Sequence, residues 1–273
     1  MFKPLEGVKV VDLTYFIAGP GAAKILADWG ADVIKVEPIF GDPGRTTGKP
    51  MCMPTEDDCN VLYNIYNGNK RGLSLNLKSE AGKEILEKIL AQSDVFVSSY
   101  RTGALKRLGL DYESLHARHP HIVWGQINGY GDFGPIKDNP GFDTVAFWAR
   151  SGAMMDLVEK DSSPVNPLIG FGDATTSCSL AVGICGGLYN KLRTGEGCKV
   201  MVSLFSQAIW SASAGIASTQ YGDIYPKTRL NPGTPVMNTY RSSDNIWFYM
   251  SILEPERYNP RLLKRLGLDS LLD

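Results

Sequence analysis

The sequence predicts an α/β protein: an open, mainly parallel sheet with helices on both faces, followed by the beginning of a smaller second domain. Three observations predict it. Short apolar strand-like runs alternate with helical stretches between residues 8 and 204. The chain opens as a β-α-β unit, with a strand over 8–13, a Gly19-Pro20-Gly21 turn into a helix, and a second strand over 32–37. The composition then shifts over residues 222–235, which hold three prolines, and a hairpin pattern follows. The expected division is a Rossmann-like large domain over 1–221, a linker over 222–235, and the start of a small domain over 236–273.

The first helix carries apolar residues at helical spacing over 22–29 and stops at Gly30. Residues 38–60 are rich in Pro, Gly, Asp and Thr and read as a long surface loop. A strand over 73–77 follows, then Ser79 as the cap of an amphipathic helix over 80–92. A strand over 94–100 leads to a short helix holding Lys106 and Arg107, a second helix over 112–118, and a strand over 122–128. Gly129-Tyr130-Gly131 leaves that strand as a turn, and an apolar helix runs from Gly141 to Met155. A polar loop reaches Pro167; a long helix extends to Arg193; a strand over 199–204 and a helix rich in small residues over 205–221 complete the large domain. The hairpin pairs 236–241 with 246–251, and a basic helix covers 261–266.

The focal stretch is Leu168-Ile169-Gly170-Phe171-Gly172-Asp173. It places Asp173 at the N-cap of the long helix, where a carboxylate meets free backbone N–H groups and stays ionised. An N-cap aspartate is ordinarily structural. The glycines beside this one leave room for another molecule to approach the backbone.

Composition excludes several classes. With 28 basic and 29 acidic residues the net charge is -1, so no global charge points to nucleic acid or an anionic membrane surface. No apolar run reaches the ~18 residues that a membrane span needs. The N-terminus carries Glu6 and Gly7 where a signal peptide needs an apolar core, so the expected location is cytoplasmic. Cys52, Cys59, Cys178, Cys185 and Cys198 are odd in number and loosely spaced, which disfavours a disulfide framework and fits no zinc pattern. Cys178 and Cys185 share a helix face and are expected to be buried as small apolar residues. His116, His119 and His121 read as a solvated helix end, with no metal site expected.

The glycine pattern after the first strand, Gly19-x-Gly21-x-x-Lys24, has lysine where a dinucleotide fingerprint needs glycine or alanine, which argues against an NAD enzyme. No Gly-x-Ser-x-Gly, His-Glu-x-x-His or P-loop is present. What remains is one well-placed carboxylate and bases at or near loops: Lys35, Arg45, Lys70, Arg71, Arg101, Lys106 and Arg107. Each alone reads as a solvated charge; together they suit a multiply phosphorylated ligand. An aspartate nucleophile suits an acyl donor that is already activated, such as a thioester.

Pro4-Leu5-Glu6-Gly7 with 8–13, the stretch 26–37 with Gly41-Asp42-Pro43, residues 69–78, Gly129-Tyr130-Gly131, and the segments Gly172-Asp173 and Gly195-Glu196-Gly197 together resemble the class III (CaiB/BaiF-type) CoA-transferases. Within that family, Pro140-Gly141-Phe142-Asp143 and 147–150 are most similar to the transferases for 2-hydroxyacyl groups of amino-acid fermentation. The resemblance implies that Asp173 is the nucleophile, which passes CoA from an acyl-CoA to a free carboxylic acid through an aspartyl-CoA thioester. It implies coenzyme A or acyl-CoA as substrate, with no permanently bound cofactor. The implied CoA-binding positions are Phe16, Ile17, Ala18, Lys35, Pro38, Ser99, Tyr100, Arg107, Leu108, Pro140 and Phe142. Lys70 and Arg71 join them on charge alone, and Asp143, Gly172 and Gly233 are expected as support.

Three departures follow. Ile17 stands where formyl-CoA transferase has a glutamine, which implies an apolar acyl pocket. Gly233 lies in Asn231-Pro232-Gly233-Thr234-Pro235, not in a run of glycines. Family chains continue through a complete small domain and form interlinked homodimers, whereas this chain reads as truncated at Asp273. The alternatives are a CoA-transferase for a bulkier acid, such as a bile acid or carnitine derivative, and an inactive CoA-binding fragment.

Overall fold

The computed structural model describes residues 2–51, 53, 55 and 60–272, and the protein divides into two compact units. The first comprises residues 1–153 and 166–216. In chain order the elements are β1 (Lys9–Leu13), α1 (Ala18–Asp28), β2 (Asp32–Glu37), α2 (Val61–Asn67), β3 (Arg71–Ser74), α3 (Glu80–Leu90), β4 (Val95–Ser98), α4 (Thr102–Leu108), α5 (Tyr112–Arg118) and β5 (Val123–Asn128). A π-helical segment, Asp143–Ala149, and the short α6 (Ala153–Asp156) follow. Then come α7 (Phe171–Thr194), β6 (Lys199–Ser203), α8 (Leu204–Ser211) and α9 (Ser213–Thr219).

The six strands lie in the order β3-β2-β1-β4-β5-β6, and every pair is parallel. This is the doubly wound arrangement, and its order reverses between β1 and β4. Successive strand residues serve opposite faces. Val10, Val33, Val95, Val97 and Val123 pack with Ala22, Ala23 and Leu26 of α1 and with Leu180, Ala181, Ile184 and Leu188 of α7. Their neighbours Val11, Leu13, Val36, Phe96 and Trp124 pack with Leu86 and Leu90 of α3, Leu105 of α4 and Leu115 of α5. Each such buried aliphatic side chain contributes about 1.5–3 kcal/mol relative to exposure. Small residues bring the long helix close to the sheet: a Cβ on Gly125 of β5 would stand 3.1 Å from Ile184 Cδ1.

Several boundaries differ from the sequence expectation. β3 is Arg71–Ser74 because its ladder with β2 pairs Ile34 with Arg71 and Glu37 with Ser74, earlier than 73–77. α2 was not expected; Asn60 caps it by accepting from Tyr63 N at 3.1 Å. The helix expected over 205–221 breaks at Ala212 into α8 and α9. The one expected over 141–155 is π-helical at its start and is interrupted at Gly152, where φ is 88°. Ser79 caps α3 as expected, accepting from Gly82 N at 3.2 Å.

The cysteine and histidine expectations need correction. Cys178 is exposed and Cys185 only half-buried, because the apolar face that α7 turns to the sheet runs through Leu180, Ile184 and Leu188 instead. His119 is buried, with Nε2 2.7 Å from Glu87 Oε1, and is not a solvated helix end. Cys52 and Cys59 lie outside the described residues. Among the described residues no group of three His, Cys, Asp or Glu is placed to hold a metal ion, and no helix is long and apolar enough to cross a membrane.

The second unit comprises residues 154–165 and 217–273. β7 (Met237–Arg241) and β8 (Trp247–Ser251) form an antiparallel hairpin, and α10 (Pro255–Arg265) follows. Glu159 ties the segment 154–165 in by accepting from Arg229 N at 2.9 Å.

Candidate active site

The carboxyl ends of β1, β4 and β5 open onto one cleft of the first unit, as the reversal of strand order requires. Tyr15, Phe16, Ile17 and Ala18 form one wall; Ser99, Arg101 and Thr102 continue it after β4. Asn128 and Gly129 leave β5 on the other side, where Lys137, Asn139, Gly141 and Phe142 close the rim. Asp173 is the carboxylate of this cleft.

The wall after β1 has an unusual backbone. Phe16 has φ of 64°, a left-handed conformation that a bulky residue rarely adopts. This turns its ring against Tyr15, 5.1 Å between centroids, and against Phe142, 5.5 Å. Tyr100 packs against Tyr15, with ring centroids 5.5 Å apart. Ile17 is buried, and its Cδ1 closes on Gly170, where an added Cβ would stand 2.9 Å away.

Asp173 is not the N-cap of its helix. α7 begins at Phe171, and Gly170, with φ of 71°, takes the cap position. Asp173 therefore sits inside the first turn. A second carboxylate occupies the helix end: Asp143 Oδ2 accepts from Gly172 N at 3.3 Å. Gly172 is required here, because a Cβ would collide with Asp143 Oδ1 and with the Phe147 ring. Burial pushes Asp143 up to about 6, although the amides of Gly172, Asp173 and Gly170 hold it down. Burial, and then the Asp143 charge, push Asp173 up to about 7. The sequence expectation of a helix-stabilised, readily ionised Asp173 is thus corrected: this is a half-buried carboxyl poised near neutrality. Such a group loses its hydration without gaining compensating charge, which favours nucleophilicity once it is ionised.

The expected site residues separate into groups. Phe16, Ile17, Ala18, Ser99, Phe142 and Asp173 line the cleft. Pro140 lies between two lining residues, and Tyr100 supports Tyr15. Arg107 lines an adjoining hollow with Tyr15 and Arg101. Five others of the first unit do not line the cleft. Lys35 is buried in an ion pair with Asp42 at 2.9 Å, and Lys70 in one with Asp12 at 2.8 Å, so neither ammonium is available to a phosphate. Arg71 pairs with Asp32 at 2.6 Å, at the amino ends of β2 and β3 and away from the site. Leu108 packs into the core on the α3 side of the sheet. Pro38 is half-buried outside the cleft wall, its carbonyl accepting from Ser74 Oγ at 3.2 Å. Gly233 belongs to the second unit.

Sequence reasoning passed over Lys137 and Asn139, exposed on the loop after Gly134-Pro135. It counted Arg101 only among scattered bases. The available signal was position: all three follow strand ends at the switch side of the sheet. Tyr66 on α2 was also missed. A Cβ on Gly170 would stand 3.7 Å from its hydroxyl, and burial together with the charges of Asp173 and Asp143 raises its phenol.

The first unit is thus a doubly wound α/β fold with a carboxylate-centred cleft at its switch point, rimmed by Arg101 and Lys137, with Arg107 in the adjoining hollow. The sequence matches the CoA-transferase family III over residues 5–273, and the chain belongs to that family. It is 42% identical over 269 residues to the (R)-2-hydroxy-4-methylpentanoate CoA-transferase of Clostridioides difficile, covering 98% of this chain and 67% of that protein. It is 41% identical over 270 residues to the cinnamoyl-CoA:phenyllactate CoA-transferase of Clostridium sporogenes, covering 98% and 66%. The crystal structure of a CAIB/BAIF family protein from Brucella suis superposes with a TM-score of 0.81 at 30% identity, covering 99% of this chain and 71% of the other. The chain thus spans about two thirds of the length of the curated relatives named here.

Proposed function

We propose that this protein moves CoA between an acyl-CoA and a free carboxylic acid through Asp173. The observation that carries the reading is the placement of Asp173, a carboxyl with a value of about 7, at the cleft formed by Phe16, Ile17 and Ala18. The Asp173 carboxylate attacks the thioester carbonyl, forming a mixed anhydride and releasing CoA thiolate. The thiolate attacks the aspartyl carbonyl, giving an aspartyl-CoA thioester and the free donor acid. The acceptor carboxylate attacks that thioester and again expels CoA thiolate. The thiolate then attacks the acyl carbonyl of the new anhydride, which releases the product acyl-CoA and restores Asp173. No proton need leave an acid at any step, provided Asp173 starts ionised.

The substrate proposed is a 2-hydroxy acid with an apolar side chain, because both curated relatives named above act on such acids and Ile17 gives the wall an apolar surface. A bulkier acid is not favoured by those relatives. Amino-acid fermentation as the setting, a cytoplasmic location and a homodimeric assembly complete the proposal. Phe16, Ile17, Ala18, Ser99 and Phe142 would contact the acyl-CoA, with Arg101, Arg107 and Lys137 facing its phosphates.

Thioester trapping tests the reading. The protein is incubated with 2-hydroxyisocaproyl-CoA or phenyllactyl-CoA, reduced with borohydride and digested. Reduction confined to the Asp173 peptide is the expected result; an unmodified Asp173 peptide despite CoA binding refutes the catalytic assignment.

A further inference from the structure

The cleft wall after β1 is made from a strained turn, and the groups that hold it are four buried charges. Lys35 Nζ donates to Thr14 O at 2.9 Å and pairs with Asp42 at 2.9 Å. Asp42 Oδ1 accepts from Phe16 N at 3.1 Å and from Gly44 N at 2.7 Å. Lys70 Nζ donates to Pro20 O and pairs with Asp12, each at 2.8 Å. Asp12 in turn accepts from the Thr14 hydroxyl. The turn is therefore gripped at its first carbonyl and at the Phe16 amide, and the first turn of α1 that continues it at the Pro20 carbonyl.

We propose that Asp12, Lys35, Asp42 and Lys70 are positioning residues which fix the turn from Thr14 to Pro20 in the one conformation that forms the wall of the acyl-CoA cleft. The identity of the ligand rests on the function proposed above; the positioning role does not. Two arguments carry it. The four side chains are at most 1% exposed, and burying ion pairs is a poor way to stabilise a core, since apolar residues of like volume serve as well or better. Each pair instead ends on backbone atoms of a single turn. That turn contains Phe16 at φ 64°, a conformation that persists only where the surroundings over-determine it. A further layer braces Asp42: its own amide donates to Glu37 Oε2 at 3.0 Å, and Arg45 binds Glu37 through Nε at 2.9 Å and Nη2 at 3.0 Å.

Asp42→Asn separates this role from general stability, because asparagine keeps an acceptor near Phe16 but leaves Lys35 unpaired. Hydrogen–deuterium exchange is followed peptide by peptide on the whole chain, with CoA affinity measured by calorimetry. The expected result is exchange about tenfold faster in residues 14–20, unchanged exchange in α7, and a CoA dissociation constant raised about tenfold. Exchange over 14–20 equal to that of the unsubstituted protein overturns the proposal, and so does acceleration spread evenly over all peptides. Should the single variant not fold, the paired Lys35→Met, Asp42→Leu protein buries no unpaired charge. It removes the Phe16 acceptor and is expected to show the same local loosening; its absence again refutes the role. Local loosening in a protein that binds no CoA in any form leaves the positioning role standing and removes the CoA reading.

Discussion

Asp143 and Asp173 compete for the start of one helix, and Asp143 holds it. The amides of Gly172, Asp173 and Gly170 all pull Asp143 down, while burial and the Asp143 charge both push Asp173 up. The N-terminus of α7 thus stabilises the neighbour of the proposed nucleophile, and that neighbour repels it. Asp143→Asn keeps an oxygen for Gly172 N and removes the charge. The pH dependence of aspartyl-thioester formation is expected to show an acid limb near pH 7 in the unsubstituted protein, moved about one unit lower in the variant. An unmoved limb would show that burial alone sets the Asp173 value.

The same shift has a stability consequence. A carboxyl whose value is raised on folding binds more protons folded than unfolded, so stability is full below its unfolded value and falls as pH rises. For Asp173 the window runs from 3.8 to about 7. Asp173→Asn removes the ionisation and the repulsion from Asp143. It is expected to melt a few degrees higher at pH 8, on the order of 2 kcal/mol, and to match the parent below about pH 4, while forming no thioester. Thermal melts at both pH values decide it; equal melting at pH 8 refutes the burial argument.

Much of the fold was legible because α/β periodicity is local. Residues 8–13 and 32–37 read as strands from their own apolar runs, and Ser79 announces α3 with a side-chain cap. The Asp173 stretch was legible through its glycines. What escaped was set by distant contacts. The Asp173 value depends on Asp143, thirty residues earlier in the chain (173 − 143), which reaches Gly172 only after folding. Lys35 and Lys70 look like loop bases in one dimension; only the folded chain buries them, Lys35 against Asp42 and Lys70 against Asp12. Arg71 reads the same way, yet the β3 register sends it to the amino end of the sheet.

Gly172 leaves space that a side chain cannot share. A Cβ there meets the Asp143 carboxyl and the buried Phe147 ring, neither of which has room to move. Gly172→Ala is expected to destabilise the protein by about 1–3 kcal/mol and to lower thioester formation at least about tenfold, by displacing the first turn of α7. Denaturant unfolding and trapping rates measure the two effects separately. Full activity at reduced stability would mean that α7 tolerates the shift and that the Asp143–Asp173 geometry is not critical.

On the function proposed above, Ile17 is expected to set how apolar the acyl end of the cleft is. It is 4% exposed, and its Cδ1 lies against Gly170, at the entrance to the helix that carries Asp173. An acyl group joined to Asp173 is therefore expected to meet a hydrocarbon surface before any polar partner, which favours branched or aromatic side chains over oxalate-like acids. Ile17→Gln introduces an amide of similar length whose hydrogen bonds an apolar acyl group cannot satisfy. The expected effect is a fall of about tenfold or more in kcat/KM for 2-hydroxyisocaproyl-CoA, with a smaller fall or a gain for short polar acyl-CoAs. The measurement is kcat/KM for both substrate classes at one pH above 7, where Asp173 is ionised in either protein. An equal fall for both classes would mean that Ile17 shapes the turn and takes no part in selecting the acyl group.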